Sequence, residues 1–252
     1  MKAFFKAYWK TLLFFAVMGM IGGYFTGLYV LESYPPQMQQ ELLAQGMNDT
    51  MLGLASAVQS AGYGLIFGAA GIWLGKKVGL WKDERHITKK PLLAALIISL
   101  IGGLGLIFPD LLFFGKYEPA LLDVYAAKPT IPYLLATVTY GAVIEEIMLR
   151  LFMMSLVAFV LHLLFERKGK EVGTAVLVAA NVVSALLFAA GHLPATEMMF
   201  GLTPMIVLRC FLLNGVFGLA FGWLYRRFGL RYAMIAHGGC HVVSKLIWIL
   251  FI

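Results

Sequence analysis

Residues 131–165 read IPYLLATVTYGAVIEEIMLRLFMMSLVAFVLHLLF. The run is apolar except for three ionisable groups within six residues, Glu145, Glu146 and Arg150. As a helix it would be about 52 Å long, against a hydrocarbon core of about 30 Å. It is therefore too long for one straight span. A charge at bilayer depth costs about 2.5–3.5 kcal/mol on the mildest insertion scale, so such groups persist by facing a cavity, by pairing, or by doing chemistry. Helical spacing sorts the three. Glu146 and Arg150 are i and i+4, share a face and suit an ion pair. Glu145 is turned about 100° from Glu146, which leaves it as the carboxylate free to work.

The rest of the chain agrees that the solvent is lipid. Hydrophobic residues make up 61% of it and charged residues 13%, where a soluble domain carries about 25% charged. Mean hydropathy is +0.83. Apolar segments long enough to span fall at roughly 11–31, 51–75, 91–108, 131–152 (extending to 165), 172–192, 204–225 and 232–251. This predicts an all-α polytopic transmembrane bundle of seven or eight spans, a single integral membrane domain over 1–252. The small-residue spacing of Gly215, Gly218 and Gly222 reads as helix packing. No internal repeat and no soluble domain are evident.

Charge orders the spans. Lys2, Lys6 and Lys10 precede the first. Lys76, Lys77, Lys82, Arg85, Lys89 and Lys90 lie between the second and third. Arg167, Lys168 and Lys170 follow the fourth, and Arg226, Arg227 and Arg231 follow the sixth. These are fifteen of the 20 Lys and Arg residues, all in alternate loops. The positive-inside rule then predicts a cytoplasmic N-terminus. The net charge of +7 is thus a topology signal dispersed over loops, and no nucleic-acid partner is expected. The first span is long and lacks a small-residue cleavage site, so it reads as retained.

Cys210 and Cys240 both fall within spans and support no disulfide or cysteine-based metal site. The histidines are more informative. His86 and His162 read as solvated and interfacial. His192 ends a polar stripe, Asn181, Ser184, Phe188 and His192, at helical spacing. His237 and His241 are i and i+4, the spacing by which one helix offers two ligands to a metal. Three intramembrane histidines and a free glutamate point to one shared functional site.

Three blocks carry a resemblance: Glu-Glu-x-x-x-Arg at 145–150, Phe-x-x-x-His at 188–192, and the intramembrane His237 with the residue four later. In this order, each within a hydrophobic segment, they resemble the signature of the CPBP family, also called ABI. That family comprises CAAX prenyl proteases and bacteriocin-processing or immunity enzymes. The resemblance covers about 131–245; the spans within 11–108 are non-diagnostic. It implies an intramembrane endopeptidase of the CAAX prenyl protease type. Glu145 then matches the glutamate that activates water, and His192 the imidazole that holds or polarises it. His237 and His241 match the pair that stabilises the oxyanion or completes a metal site. Glu146, Arg150 and Phe188 match supporting residues. The chemistry is coherent, since a water nucleophile needs a base and an oxyanion needs donors or a Lewis acid.

The family usually carries Asn or Asp where this chain has His241. Glu145, His192, His237 and His241 would also suit Zn²⁺ as a metal set, so the expectation is a glutamate-dependent or metal-dependent intramembrane protease. The implied partners are a peptide or protein substrate, prenylated or membrane-associated, and the lipid bilayer. A bacterial inner membrane is the expected location. Two other classes fit parts of the pattern: a proton-coupled membrane transporter, and a catalytically silent immunity or adaptor protein. Arg209 and Lys245 each lie near a span's outer end and read as snorkelling cations. Depth poses a difficulty. His192 lies roughly 33 Å along its helix from Lys170, and His237 only about 9 Å from Arg231. The simplest arrangement for a shared site is that 156–180 is not all membrane-spanning, part of it forming an interfacial turn or a hairpin that protrudes to the cytoplasm.

Overall fold

Among the described residues, seven helices are long and apolar enough to cross a membrane. They appear in a computed structural model that describes residues 2–34, 36–83, 86–166 and 171–252. The spans are α1 Lys2–Ser33, α3 Asp49–Lys77, α4 Lys89–Tyr117, α6 Ile131–Phe165, α7 Thr174–Phe200, α8 Pro204–Phe228 and α9 Leu230–Phe251. Two short helices, α2 Pro36–Ala44 and α5 Ala120–Asp123, lie between spans. Among the described residues there is no strand. The protein is thus an all-α, multi-pass integral membrane protein, with the lower of the two expected span counts. Large apolar side chains such as Val58, Ile66, Leu112, Val178 and Leu246 point outward and are exposed. In water that surface would aggregate; in lipid it is ordinary.

Small residues set how closely the helices approach. Gly19, Gly23 and Gly27 of α1 face the backbone of Ser60, Ser56 and Leu52 on α3, where a Cβ would collide. Gly102 and Gly103 of α4 face Cys240 and Val243 of α9. Gly218 and Gly222 of α8 face Ala185 and Asn181 of α7, as their spacing suggested, whereas Gly215 meets no neighbour. Without a hydrophobic force between helices in lipid, such close contact supplies the packing energy.

The basic helix ends lie together and are tied by hydrogen bonds. Lys76 Nζ donates to Tyr8 Oη over 3.0 Å, and Tyr8 donates to Asp83 over 3.2 Å. Lys82 Nζ donates to the Arg227 carbonyl over 2.6 Å, and the Thr88 N–H donates to Tyr232 Oη over 2.9 Å. Arg85, Arg167, Lys168 and Lys170, also counted in the charge pattern, lie outside the described residues.

The long run 131–165 stays helical throughout, so its excess length is not removed by a break. Instead it overruns. Tyr225, near the end of α8, bonds Ser155 over 3.0 Å. The ten residues after Ser155 continue about 15 Å further. There Glu166 accepts the Gly173 N–H, just before α7, over 3.0 Å and pairs with His162. The His162 bond first, and the Gly173 N–H second, hold the Glu166 carboxyl below its usual range. Two stretches of α6, Thr137–Glu145 and Ile147–Met154, are wound as π-helix. Such i→i+5 turns are rare and recur at functional sites. Regular α-periodicity gave no sign of them.

Candidate active site

The two carboxylates of α6 leave the helix in different directions and meet different surroundings. Glu146 is fully buried. Its Oε1 lies 3.2 Å from Arg150 Nη1 and accepts from His237 Nδ1 over 2.9 Å. Arg150 is equally buried, its guanidinium 4.3 Å from the ring centre of Phe188 on α7 and 5.5 Å from that of Phe221 on α8. Aromatic faces attract a cation most when both are desolvated. Phe221 also stacks on His237, ring centres 4.7 Å apart and 17° from parallel. One carboxylate oxygen and two phenyl rings thus lock α6, α7, α8 and α9 together. Glu145 carries no such burden. Its side chain keeps 23% exposure, and its nearest ionic partner is His237 Nε2, 4.0 Å from Oε2.

Glu145 opens into a cavity of about 420 Å³ whose wall also holds His192, His241, Lys245, Tyr133 and Tyr140. His192 reaches it because α7 is interrupted there. The His192 N–H bonds Ala189 O over 3.1 Å instead of continuing the regular ladder. Pro194, which has no N–H, sits in the first turn of the next segment, Leu193–Phe200. Phe188 O is thereby free to accept from His192 Nδ1 over 2.8 Å. His237 is nearly buried behind Glu145, outside the cavity wall. Its ring centre is 5.1 Å from that of His241. The structure therefore brings Glu145, His192 and His241 to one chamber and sets His237 against both glutamates. The depth difficulty between His192 and His237 disappears because α6 overruns the Ser155–Tyr225 contact, so α7 begins further out than α9 does.

Hydrogen-bond polarity can be read from the partners. A carboxylate and a carbonyl only accept, so His237 and His192 each hold a proton on Nδ1. Their Nε2 atoms are then lone-pair positions in the neutral rings. Second partners on Nδ1 are how ligating or catalytic imidazoles are oriented. The donors do not, however, converge as a ligand set: among the described residues no three His, Cys, Asp or Glu side chains are grouped to hold a metal ion.

Three features of the site escaped the sequence reading. Arg209 does not snorkel. It grips the buried Asp110 of α4 with Nε–Oδ1 and Nη2–Oδ2 contacts of 2.5 Å each, and Tyr125 Oη donates to the same carboxylate over 3.2 Å. Burial first, and the Asp110 charge second, push the Tyr125 phenol up, so it stays a donor. This cluster forms part of the cavity wall. Lys245 does not snorkel either; it lies in the same wall, nearly buried. Asp110 and Arg209 are 99 residues apart, so no local spacing signalled their pairing.

Gly141 is the third feature. A Cβ there would stand 3.5 Å from His241 Nε2 and 3.9 Å from His237 Nε2. These are ordinary contact distances, so Gly141→Ala is expected to fold normally. The methyl would fill the space both nitrogens face. Misplacing a reacting group by about 1 Å costs up to ~10²-fold, and a loss of that order with an unchanged unfolding temperature is expected. Full activity would show that the reacting group lies elsewhere.

Residues 127–243 match the family model described as Type II CAAX prenyl endopeptidase Rce1-like. The CPBP resemblance drawn from the three blocks is borne out over that segment. The segment takes in α6, α7, α8 and most of α9, and its likeness to an endopeptidase family supports an intramembrane peptidase kind. No curated protein and no solved structure matches the chain.

Proposed function

We propose that this Rce1-like segment hydrolyses a peptide bond with water activated by Glu145. The observation that carries the reading is the division of labour between neighbouring carboxylates. Glu146 is committed to Arg150 and His237, while Glu145 faces the chamber and, among the described residues, has no ionic partner closer than 4.0 Å. A partly desolvated, unpaired carboxylate is a competent general base. The Nε2 lone pair of His192 accepts a proton of the same water and fixes its orientation. His237 is held by Glu146 behind the base. His241 donates to the oxyanion that forms when water adds to the carbonyl carbon, where preorganised donors have their largest effect.

The substrate is proposed to be a prenylated or otherwise membrane-associated peptide, since the chamber lies within a lipid-embedded bundle. We place the protein in a bacterial inner membrane with its basic end, and so its N-terminus, cytoplasmic. The chain works as one domain in this reading. Thr26, Tyr29 and Val30 of α1 join the chamber wall, so the N-terminal spans complete a site whose chemistry lies in α6, α7 and α9.

Exchanging His241 for Asn separates donation from metal ligation. Asn keeps an N–H donor but is a poor ligand for Zn²⁺. The donor role predicts that His241→Asn retains cleavage within about tenfold and that the purified wild type holds no stoichiometric zinc. Elemental analysis beside a peptide-cleavage assay decides this. Stoichiometric zinc, lost together with activity in His241→Asn, would overturn the donor role.

A further inference from the structure

We propose that Lys245 is a positioning residue that holds His241 in the tautomer with its proton on Nε2, turning that imidazole into a donor aimed at the chamber. The inference rests on the peptidase reading and explains how one of its residues acquires its role.

Polarity inverts along α9. His237 and His241 lie one turn apart, and each engages a partner through Nδ1. For His237 the partner is the Glu146 carboxylate, which accepts. For His241 it is Lys245 Nζ, 3.2 Å away. As an ammonium, Lys245 has three donors and no acceptor, and Nδ1 of His241 then accepts. The single proton of the neutral ring then sits on Nε2. That nitrogen is the one facing the space kept open by Gly141. Lys245 lies in the chamber wall, and its Nζ sits 4.5 Å from the Tyr133 ring centre, a face that attracts a cation. Among the described residues no carboxylate pairs with it. Its ammonium is therefore held by an aromatic face and a ring nitrogen. Two imidazoles of one helix thus have opposite polarity at Nε2, a lone pair on His237 in its neutral form, behind Glu145, and an N–H on His241 at the chamber.

A positional role through His241 makes a prediction that simple packing does not. An amide at 241 donates without any tautomer to fix. In the His241 enzyme, Lys245→Met is expected to lower kcat roughly 10²-fold with little change in KM, the loss typical of one oxyanion donor. In the His241→Asn background the same Lys245→Met change should leave kcat within about threefold. Equal losses in both backgrounds would sink the proposal. A second measurement needs no active or stable Lys245 variant. Nitrogen-15 NMR of the histidine-labelled wild type in micelles, with His241→Asn used to assign the signal, should show a proton-bearing Nε2 and an acceptor-type Nδ1. A proton on Nδ1 would overturn the assignment. Absence of peptide cleavage in every protein tested would sink the peptidase reading alone, and the nitrogen signals would still decide the role of Lys245.

Discussion

Glu145→Gln is expected to abolish peptide cleavage and leave the protein folded. General-base catalysis contributes typically 10²–10⁴-fold, so residual activity should fall to about 1% of wild type or below. Stability should hardly change. The carboxylate is partly exposed and touches nothing ionic within hydrogen-bonding distance, so the amide replaces it without stranding a charge. The measurement is cleavage of a peptide by the purified protein in detergent, alongside its thermal unfolding. A Glu145→Gln protein with full activity would show that another group activates the water. A transporter or a silent adaptor would give no cleavage in the wild type at all.

Glu146→Gln is expected to do the opposite first: it should lower stability by about 3 kcal/mol. Removing one member of a buried pair typically costs about 3–5 kcal/mol, because the other charge is left uncompensated. The low end applies because the Phe188 and Phe221 rings still flank the Arg150 guanidinium. Replacing both members by neutral groups removes the stranded charge, and such exchanges are often neutral or stabilising. The double variant Glu146→Gln with Arg150→Met should therefore recover most of the lost stability. It should not recover activity, because His237 still lacks the carboxylate that anchors its Nδ1. Thermal unfolding and cleavage assays on the three variants separate the two roles. If Glu146→Gln unfolds at the wild-type temperature, the structural assignment of this carboxylate is wrong.

Parts of this site were legible because they are local. Glu146 and Arg150 announce themselves by an i, i+4 spacing in an apolar run, and that spacing survives the π-winding of α6. Phe188 and His192 are likewise one helical turn apart, and their rings touch edge to face. The Phe188 requirement becomes clear only with its second partner, the Arg150 guanidinium on another helix. Lys245 and Arg209 looked alike in sequence, two cations near span ends. One proved to be forked onto Asp110 and the other to approach His241. Nothing in their immediate neighbours distinguishes them, because Asp110 lies on α4 and the chamber is built from several helices.

What the sequence by itself determined is whatever depends on transfer free energy and helical period. Hydropathy commits seven segments to lipid, where every backbone polar group must be bonded within its own helix. Basic residues collect at alternate loops, and three spaced motifs mark the segments that carry chemistry. What only the tertiary structure decided is depth and partnership between helices. Counting residues from the basic loops put His192 and His237 at incompatible levels, because it took every helix to begin at the same plane. The overrun of α6 past Ser155 shifts that origin for α7, and so for His192. That offset is a property of contacts between helices, which a one-dimensional period does not contain.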